Sequence, residues 1–239
     1  MSDTSKAVLL IADISGFTGL MRHKVISMNH AKQIVVRLLK ALIGSSKPPL
    51  RVAELEGDAV FFYALCNSKN ANEVMENVKA QIGKFFHTFQ CELESLETLR
   101  TCTCEACENA VSLKLKQVVH FGDIALETID RFEKLFGLDV IVVHRMLKNT
   151  VQKKEYVMMT EPVYARMDGF YGLSPEQRKE TFEGVGDIDT LVFYTEGLIN
   201  HSHHSHAPID KPSILDKFIW RLELSYKFVF DFLRFHKVQ

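Results

Sequence analysis

The sequence predicts an α+β fold in which helices cover one face of a mostly antiparallel sheet. Two observations predict it. Apolar runs of strand length alternate with longer amphipathic stretches, and several runs are joined in pairs by short glycine-containing turns that are typical of β-hairpins. The composition agrees with this, since 46% of the 239 residues are apolar and 25% are charged, as in an ordinary globular domain.

The first half of the chain has two strand–helix units. A continuous apolar run that ends in an acid is typical of a buried strand, and apolar residues three and four apart indicate an amphipathic helix. Two strand-length runs around a Gly-Asp pair indicate a hairpin. The elements predicted in this way are the strand Ala7–Asp13, the helix Ala31–Leu42, the hairpin strands Leu50–Glu56 and Ala59–Leu65, and the helix Asn72–Phe89.

The second half repeats the alternation with shorter elements. The same rules predict a second hairpin that turns at Phe121 and Gly122, and a last hairpin that turns around Gly186 and Asp187. The elements are the hairpin strands Ser112–His120 and Asp123–Glu127, the helix Asp139–Asn149, the strand Tyr156–Thr160, the helical turn Glu161–Asp168, and the hairpin strands Thr181–Gly184 and Thr190–Tyr194.

These elements predict one domain over residues 1–198, with a cysteine-rich insertion at about 90–110. A His-rich linker is expected at 199–211 and an amphipathic helix at 212–239. Aromatic side chains cover more than one stripe of that helix, so it needs a partner surface. Packing on the domain or on a second copy is favoured, and contact with a membrane surface is the alternative.

Charge and cysteine usage exclude several classes of protein. The net charge is −1, which gives no reason to expect nucleic acid as a partner. No apolar run reaches the length of a bilayer span, and the first residues lack the pattern of an export signal. Five cysteines, an odd number, argue against a disulfide framework and favour a reducing, cytoplasmic location.

Two acids, Asp13 and Asp58, each stand where an apolar strand meets a glycine-containing turn. If neighbouring strand ends bring the two carboxylates together, a divalent cation relieves their repulsion, and an all-oxygen site suits Mg²⁺ or Mn²⁺ shared with substrate phosphates. The alternative is that both acids are ordinary turn or cap residues, which on spacing alone is the simpler interpretation.

Four motifs in this order resemble the catalytic domain of class III adenylate and guanylate cyclases. Ala12–Thr18 resembles the first metal-binding signature, and Glu56–Ala59 resembles the second metal-binding hairpin. Phe136-Gly137 followed by a helix with Arg145 resembles the transition-state segment, and Val185–Asp187 resembles the last hairpin. The resemblance spans residues 7–197 and implies a ferredoxin-like sheet. With its cysteine-rich insertion, the chain resembles an uncharacterised, divergent bacterial branch of that superfamily.

The resemblance implies a role for each matching residue. Asp13 and Asp58 would bind two metal ions, with the Ile14 carbonyl as a further ligand, while a ribose 3′-hydroxyl attacks the α-phosphate of a nucleoside triphosphate. Arg145 would neutralise the reacting phosphate of the partner chain in a head-to-tail homodimer. The residues implied to bind the nucleotide are Ile14, Gly16, Phe17, Thr18, Glu54 and Lys134.

Several positions depart from the family pattern. The transition-state asparagine is replaced by Ile141, and the phosphate-binding lysine of the last hairpin is replaced by Val185. Asn149, one helical turn beyond Arg145, is a candidate substitute. Each missing group is of a kind that contributes a few kcal/mol to transition-state stabilisation, roughly as single oxyanion donors do. The resemblance therefore leaves two functions open, a divergent cyclase and an inactive nucleotide-binding, regulatory or dimerisation module.

The base-recognition pair of the family has its charges exchanged. Glu54 stands where adenylate-specific members carry a lysine, and Lys134 stands where they carry an aspartate. Glu54 as an acceptor from guanine would favour guanylate. The alternative is that Glu54 and Lys134 form an ordinary ion pair with each other.

Three cysteines, Cys102, Cys104 and Cys107, lie within six residues of one another, with Cys91 upstream. In a reducing compartment this spacing favours a structural Zn²⁺ site with four thiolates over free thiols. His87 or His120 could replace Cys91 as the fourth ligand.

Overall fold

The computed structural model describes residues 4–21 and 25–197, so the predicted linker at 199–211 and the predicted helix at 212–239 lie outside the described residues. The described strands, in chain order, are β1 (Thr4–Ser15), β2 (Arg51–Glu56), β3 (Ala59–Cys66), β4 (Lys114–Ile129), β5 (Phe132–Phe136), β6 (Tyr156–Thr160), β7 (Glu176–Phe182) and β8 (Gly186–Tyr194). The described α-helices are α1 (Phe17–Met21), α2 (Val25–Ser45), α3 (Ala71–Leu99), α4 (Glu105–Asn109), α5 (Leu138–Met146) and α6 (Glu161–Tyr164).

The strands form one eight-stranded sheet in the order β2-β3-β1-β4-β6-β8-β7, with β5 paired to β4. All pairs are antiparallel except β4–β6. The predicted α+β fold with a mostly antiparallel sheet is therefore confirmed.

Strand β1 lies at the centre of this sheet and is buried on both faces. Its side chains alternate, so Val8 and Leu10 belong to one hydrophobic core while Leu9 and Ile11 belong to the other. The two long helices, α2 and α3, pack on the first core, as the amphipathic patterns predict. The short helix α5 packs on the second core, on the opposite face.

The predicted hairpin at Phe121 and Gly122 is wrong, because β4 continues through both residues to Ile129. Gly122 is needed for a close contact and not for a turn. A Cβ at this position would lie 2.0 Å from Cγ of Asp139, whose carboxylate packs across the strand. The chain reverses instead after Ile129, where Asp130 adopts a left-handed conformation with φ 57°.

Two further boundaries differ from the prediction. Helix α3 extends to Leu99, because its apolar stripe continues through Leu93 and Leu96, so the expected insertion at 90–110 begins inside this helix. The last hairpin turns at 183–185, where the Val185 N–H donates to the Phe182 carbonyl at 3.1 Å. Within residues 4–21 and 25–197, no helix combines the length and the apolar character needed to cross a bilayer.

Candidate functional site

The two predicted metal-binding acids lie at one end of the sheet, Asp13 on β1 and Asp58 in the turn that precedes the adjacent strand β3. Asp13, near the end of β1, is opposite Ala59 on β3, and the Ile14 N–H donates to the Asp58 carbonyl at 3.1 Å. Burial raises the pKa of Asp58, and the negative charge of Asp13 raises it further. The two carboxylates are therefore close enough to repel each other.

Lys116 of β4 lies beside Asp13 and Asp58. Sequence reasoning missed this lysine. It is directly opposite Asp13 in the β1–β4 register, and its Nζ lies 3.1 Å from Asp13 Oδ2, with 16% of the Asp13 side chain and 20% of the Lys116 side chain exposed. Burial raises the pKa of Asp13, and Lys116 opposes this rise. From Leu113 to Lys116, lysines alternate with leucines in the sequence. This alternation was a signal that the Lys116 side chain lies on the same face of the sheet as Asp13.

Glu56 is the third carboxylate of this region, and its charge also raises the pKa of Asp13. Its Oε1 lies 2.6 Å from His144 Nε2 on α5, while His144 Nδ1 lies 2.6 Å from the Val140 carbonyl oxygen. The His144 ring also packs edge-on against Phe61. This pair of hydrogen bonds attaches the end of β2 to α5. We refer to Asp13, Glu56, Asp58 and Lys116 as the acidic group.

Arg145 contacts neither Asp13 nor Asp58. Its Nη1 lies 4.0 Å from Oε2 of Glu183, a side chain at the surface. Leu138, Ile141 and Arg145 are three and four residues apart on α5, so they share one helical face, and Leu138 and Ile141 are at least half exposed. Among the described residues, the predicted catalytic arginine therefore pairs with Glu183 and not with the predicted metal ligands.

The candidate substitute for the missing asparagine, Asn149, already makes hydrogen bonds within this chain. The Asn149 side-chain amide donates to the Met146 carbonyl and to the Tyr156 hydroxyl, both at 2.7 Å, and its oxygen accepts the Val151 N–H at 2.9 Å. These bonds fix the loop between α5 and β6. Val185 lies in the last turn and packs against the second core.

The two predicted base-recognition residues contact each other. Lys134 Nζ lies 2.6 Å from Glu54 Oε2, and each side chain is 45% exposed. This is the ion pair that the alternative interpretation expects, and it connects β2 to β5.

The turn that follows Asp13 begins at Gly16, which has φ 98°. The Gly16 carbonyl accepts the Leu20 N–H at 3.2 Å and so begins α1. Phe17 packs against the first core, whereas Thr18 is exposed. Gly16 and Thr18 are therefore accessible beside the acidic group.

An exposed apolar surface lies around the Glu54–Lys134 pair. Its residues come from the β4–β5 hairpin and the first turns of α5, a helix that contacts β4. We call it the apolar surface, and it consists of Ile129, Phe132, Phe136, Leu138 and Ile141. Exposed patches of this kind are typical of protein–protein contacts.

A second cluster lies on the α2 side of the sheet. Cys102, Cys104 and Cys107 converge with His30 of α2, and their potential ligand atoms all lie within 4.8 Å of one another. All four side chains are half-buried. These four residues, which we call the thiol–imidazole cluster, are of the types that ligate zinc.

The fourth residue of this cluster is His30 and not Cys91, which the sequence predicted. Cys91 Sγ lies one helical turn from His87, 3.7 Å from its ring nitrogens, on α3. His120 is also excluded as the fourth member, because its ring is buried between Thr160 and Asp139, at 3.0 and 2.9 Å. A sequence signal for His30 did exist, since His30, Ile34 and Leu38 follow one stripe of α2, with the latter two buried.

Solved structures with the same fold are nucleotidyl cyclase domains. The crystal structure of the adenylyl cyclase CyaB from P. aeruginosa is similar with a TM-score of 0.59 and 10% identity, over 88% of this chain and 98% of that chain. A class III adenylyl cyclase-like ATP-binding protein from Pseudomonas aeruginosa is similar with a TM-score of 0.54 and 16% identity, over 69% of this chain and 35% of that chain. At this identity the likeness establishes the fold.

The sequence itself matches a family. An uncharacterised protein of Mycobacterium tuberculosis, Rv2561/Rv2562, is 34% identical over 156 residues, which are 65% of this chain and 71% of that protein. Residues 35–156 match the family described as protein of unknown function (DUF2652). The matched segment contains Asp58, Lys116 and the three clustered cysteines, and by this match the chain belongs to the DUF2652 family.

Proposed function

We propose that this chain binds a purine nucleoside triphosphate together with divalent metal ions, as a divergent branch of the class III cyclase superfamily. The observation that carries the proposal is the adjacency of Asp13 and Asp58, whose carboxylates repel each other at the end of neighbouring strands. The accessible turn at Gly16 and Thr18 beside them supports it.

The donors of the acidic group suit Mg²⁺ or Mn²⁺. Carboxylate oxygens from Asp13 and Asp58, with the Ile14 carbonyl, form an all-oxygen set that hard divalent ions prefer and that substrate phosphates complete. Lys116 already neutralises part of this charge through its contact with Asp13. Binding of the ions therefore requires Lys116 to give up that contact, and its ammonium is then available to a phosphate oxygen.

A head-to-tail homodimer completes this site. Arg145 shares a helical face with Leu138 and Ile141, so it borders the apolar surface and is positioned to act across an interface. We assign Arg145 to the phosphates held by the partner's acids, and Gly16, Phe17 and Thr18 to the phosphates in the same chain. Glu54 and Lys134, paired at this surface, are assigned to the edge of the base.

Cyclisation is the reaction that this arrangement favours. The ribose 3′-hydroxyl gives up its proton to water as its oxygen forms a bond to the α-phosphorus, the bond from that phosphorus to the bridging oxygen breaks, and pyrophosphate leaves with the electron pair. The metal ions, when bound, supply charge neutralisation and activate the 3′-hydroxyl. Arg145 stabilises the charge that develops on the phosphate. Ile141 and Val185 have side chains that supply no hydrogen bond or positive charge, so we expect slow turnover.

A second candidate is an inactive module of the same fold that binds nucleotide or only dimerises. Ile141 favours it, since its exposed hydrocarbon side chain replaces the group that would orient the ribose. The Glu54–Lys134 contact favours it too, because each group neutralises the other within one chain.

The test compares binding with turnover. Purified protein is incubated with Mn²⁺ and each nucleoside triphosphate, with titration calorimetry for binding and chromatography for 3′,5′-cyclic product and pyrophosphate. Binding that is lost in Asp13→Asn and Asp58→Asn, and kept in Asp168→Asn, supports the proposal. Asp168 is a matched control, because it is an exposed aspartate outside the acidic group. Product formation identifies the cyclase, binding without product identifies the module, and absence of binding contradicts the proposal.

The dimer has its own test. Sedimentation of the wild type should give a dimer, and Leu138→Glu should give monomers, because a charge in the apolar surface is not compensated. Val111→Glu is the matched control, since Val111 is an exposed apolar residue outside that surface. A monomeric wild type in the presence of nucleotide and Mn²⁺ contradicts the head-to-tail arrangement.

A further inference from the structure

We infer that the thiol–imidazole cluster is a closed zinc site with His30 as its fourth ligand, and that it fixes α2 to the segment between α3 and β4. This inference is independent of the proposed nucleotide site, because it rests on different residues on the other face of the sheet.

His30 Nδ1 lies 3.3 Å from Cys104 Sγ and 3.5 Å from Cys107 Sγ. For a tetrahedral ion with a Zn–S length of about 2.3 Å and a Zn–N length of about 2.0 Å, the expected separation of a sulfur and a nitrogen ligand is about 3.5 Å. The distances are therefore those of two edges of a zinc coordination tetrahedron.

Two sulfur atoms reach the same His30 Nδ1, yet a ring nitrogen offers either one proton or one lone pair. A hydrogen bond at Nδ1 would therefore have to be shared between the two sulfur atoms, whereas a metal ion at the centre accounts for both contacts without sharing. Sulfur and imidazole ligands in a tetrahedron select zinc over the oxygen-preferring Mg²⁺ and Mn²⁺.

The backbone supports the ligands. The Cys104 backbone N–H donates to Cys102 Sγ at 3.3 Å and so fixes the orientation of that sulfur. Cys107 lies on α4, which packs against α2, the helix that carries His30. The backbone therefore holds the ligands in place before metal binds.

A closed set of four protein ligands leaves no position for water or substrate, so the role is structural. His30 and Cys104 are 74 residues apart in the chain, and the ion joins them. The segment between α3 and β4, which the ion holds against α2, leads into Leu113. The Leu113 side chain lies 3.4 Å from the position that a Cβ would occupy on Gly16, in the turn after Asp13. Zinc thus supports the packing behind that turn.

The test uses the full chain, purified under reducing conditions, loaded with Zn²⁺ and freed of unbound metal. Wild type should retain about one zinc per chain, as should Cys91→Ser and His87→Ala. Cys104→Ser should lose it, and His30→Ala should bind zinc at least about tenfold more weakly in competition with a chelator. Circular dichroism checks that each variant is folded.

Cobalt substitution provides a readout that does not depend on a destabilised variant. Wild type loaded with Co²⁺ should give the intense d–d bands of a tetrahedral site, and His30→Cys should keep one metal with stronger sulfur-to-cobalt charge transfer, because it adds a fourth thiolate. The inference is overturned if wild type binds no zinc, if Cys91→Ser loses it, or if His30→Ala and His30→Cys both leave affinity and spectrum unchanged.

Discussion

The acidic group and the thiol–imidazole cluster occupy opposite faces of one sheet. They differ in how the negative charge of their ligands is balanced. In the acidic group, hard oxygen ligands lie beside Lys116, an internal cation 3.1 Å from Asp13. The cluster offers soft sulfur and imidazole ligands. Hard oxygen ligands beside an internal cation are suited to ions that come and go with a substrate, whereas four soft ligands that close a tetrahedron are suited to an ion that stays.

The two regions also differ in how they are connected to the rest of the fold. The acids are placed by strand register, which the hydrogen bonds of the sheet maintain without any ion. The cluster joins α2 to a connector outside the sheet, so less of the backbone holds it together. Removal of metal from the cluster should therefore lower the stability of the protein. Removal of metal from the acidic group should lower its affinity for ligand.

The largest expected effect is the removal of zinc. A strong chelator should lower the melting temperature of the wild type by more than about 10 °C, because structural zinc contributes several kcal/mol and each kcal/mol shifts a domain of this size by about 2–4 °C. Calorimetry with and without chelator measures the shift. Cys104→Ser should already melt at the lower temperature, and the chelator should not lower its melting temperature further. A chelator-induced shift in Cys104→Ser equal to that of the wild type would contradict the comparison.

The next effect concerns Gly122, which allows the Asp139 carboxylate to lie across β4. Gly122→Ala should destabilise the protein by about 2–4 kcal/mol, since the new methyl group would overlap the Asp139 side chain. This substitution loosens α5 on the acidic face and leaves the cluster intact. Chemical unfolding measures the loss.

Gly44→Ala is the matched control for Gly122→Ala. Gly44 lies in α2 with nothing within 4 Å of the added methyl group, so alanine should be neutral or stabilise by up to about 1 kcal/mol. Equal stabilities of the two variants would mean that Gly122 is a simple strand residue.

A smaller effect should come from removing the internal cation. Lys116→Met keeps the apolar stem but frees Asp13, so the affinity for Mn²⁺ should rise about tenfold, which corresponds to roughly 1.4 kcal/mol. Lys114→Met is the control on the same strand, since Lys114 is near Glu155 and outside the acidic group. If both variants bind Mn²⁺ like the wild type, Lys116 does not compete with metal.

The smallest effect is a dependence on pH. Burial raises the pKa of Asp13 and of Asp58 above the ordinary value of 3.8. Protons therefore compete with Mn²⁺ at a higher pH than for exposed aspartates, and the Mn²⁺-induced rise in melting temperature should decline on acidification before the ordinary aspartate range is reached. In the metal-free protein, these two groups should contribute more stability as the pH falls over the same interval, because each takes up a proton more readily in the folded state than in the unfolded state.

Melting temperatures from neutral to acidic pH, with and without Mn²⁺, measure this dependence. Asp58→Asn should weaken the Mn²⁺-induced rise at every pH. A rise that persists unchanged into the ordinary aspartate range would contradict the assignment of these acids.

Most of the sheet was predictable, because local patterns determine it. The six-residue apolar run of β1 and the Gly-Asp turn between β2 and β3 identify the strand that carries Asp13 and the turn that carries Asp58. The hairpin placed at Gly122 was wrong for a physical reason. A glycine needed for close packing and a glycine needed for a turn look the same in a sequence, and only the position of Asp139 distinguishes them.

The partners of the site residues were not predictable in the same way. Lys116 meets Asp13 only through the register of β1 and β4, and His30 meets the cysteines only when α2 packs against α4. Local spacing predicted Cys91 as the fourth member of the cluster because it was the nearest cysteine in the chain. Residues that are distant in the chain are brought together by tertiary packing, which local spacing does not encode.

The central claim is that Asp13 and Asp58 bind divalent metal together with a nucleoside triphosphate. Titration calorimetry of Mn²⁺ with ATP or GTP into wild type, Asp13→Asn, Asp58→Asn and Asp168→Asn tests it most directly. We expect saturable binding in wild type and Asp168→Asn, and a loss of affinity of at least about 100-fold in each of the other two variants, because each loses a charged ligand. Wild-type affinity in both of those variants, or no binding by the wild type, would contradict the claim.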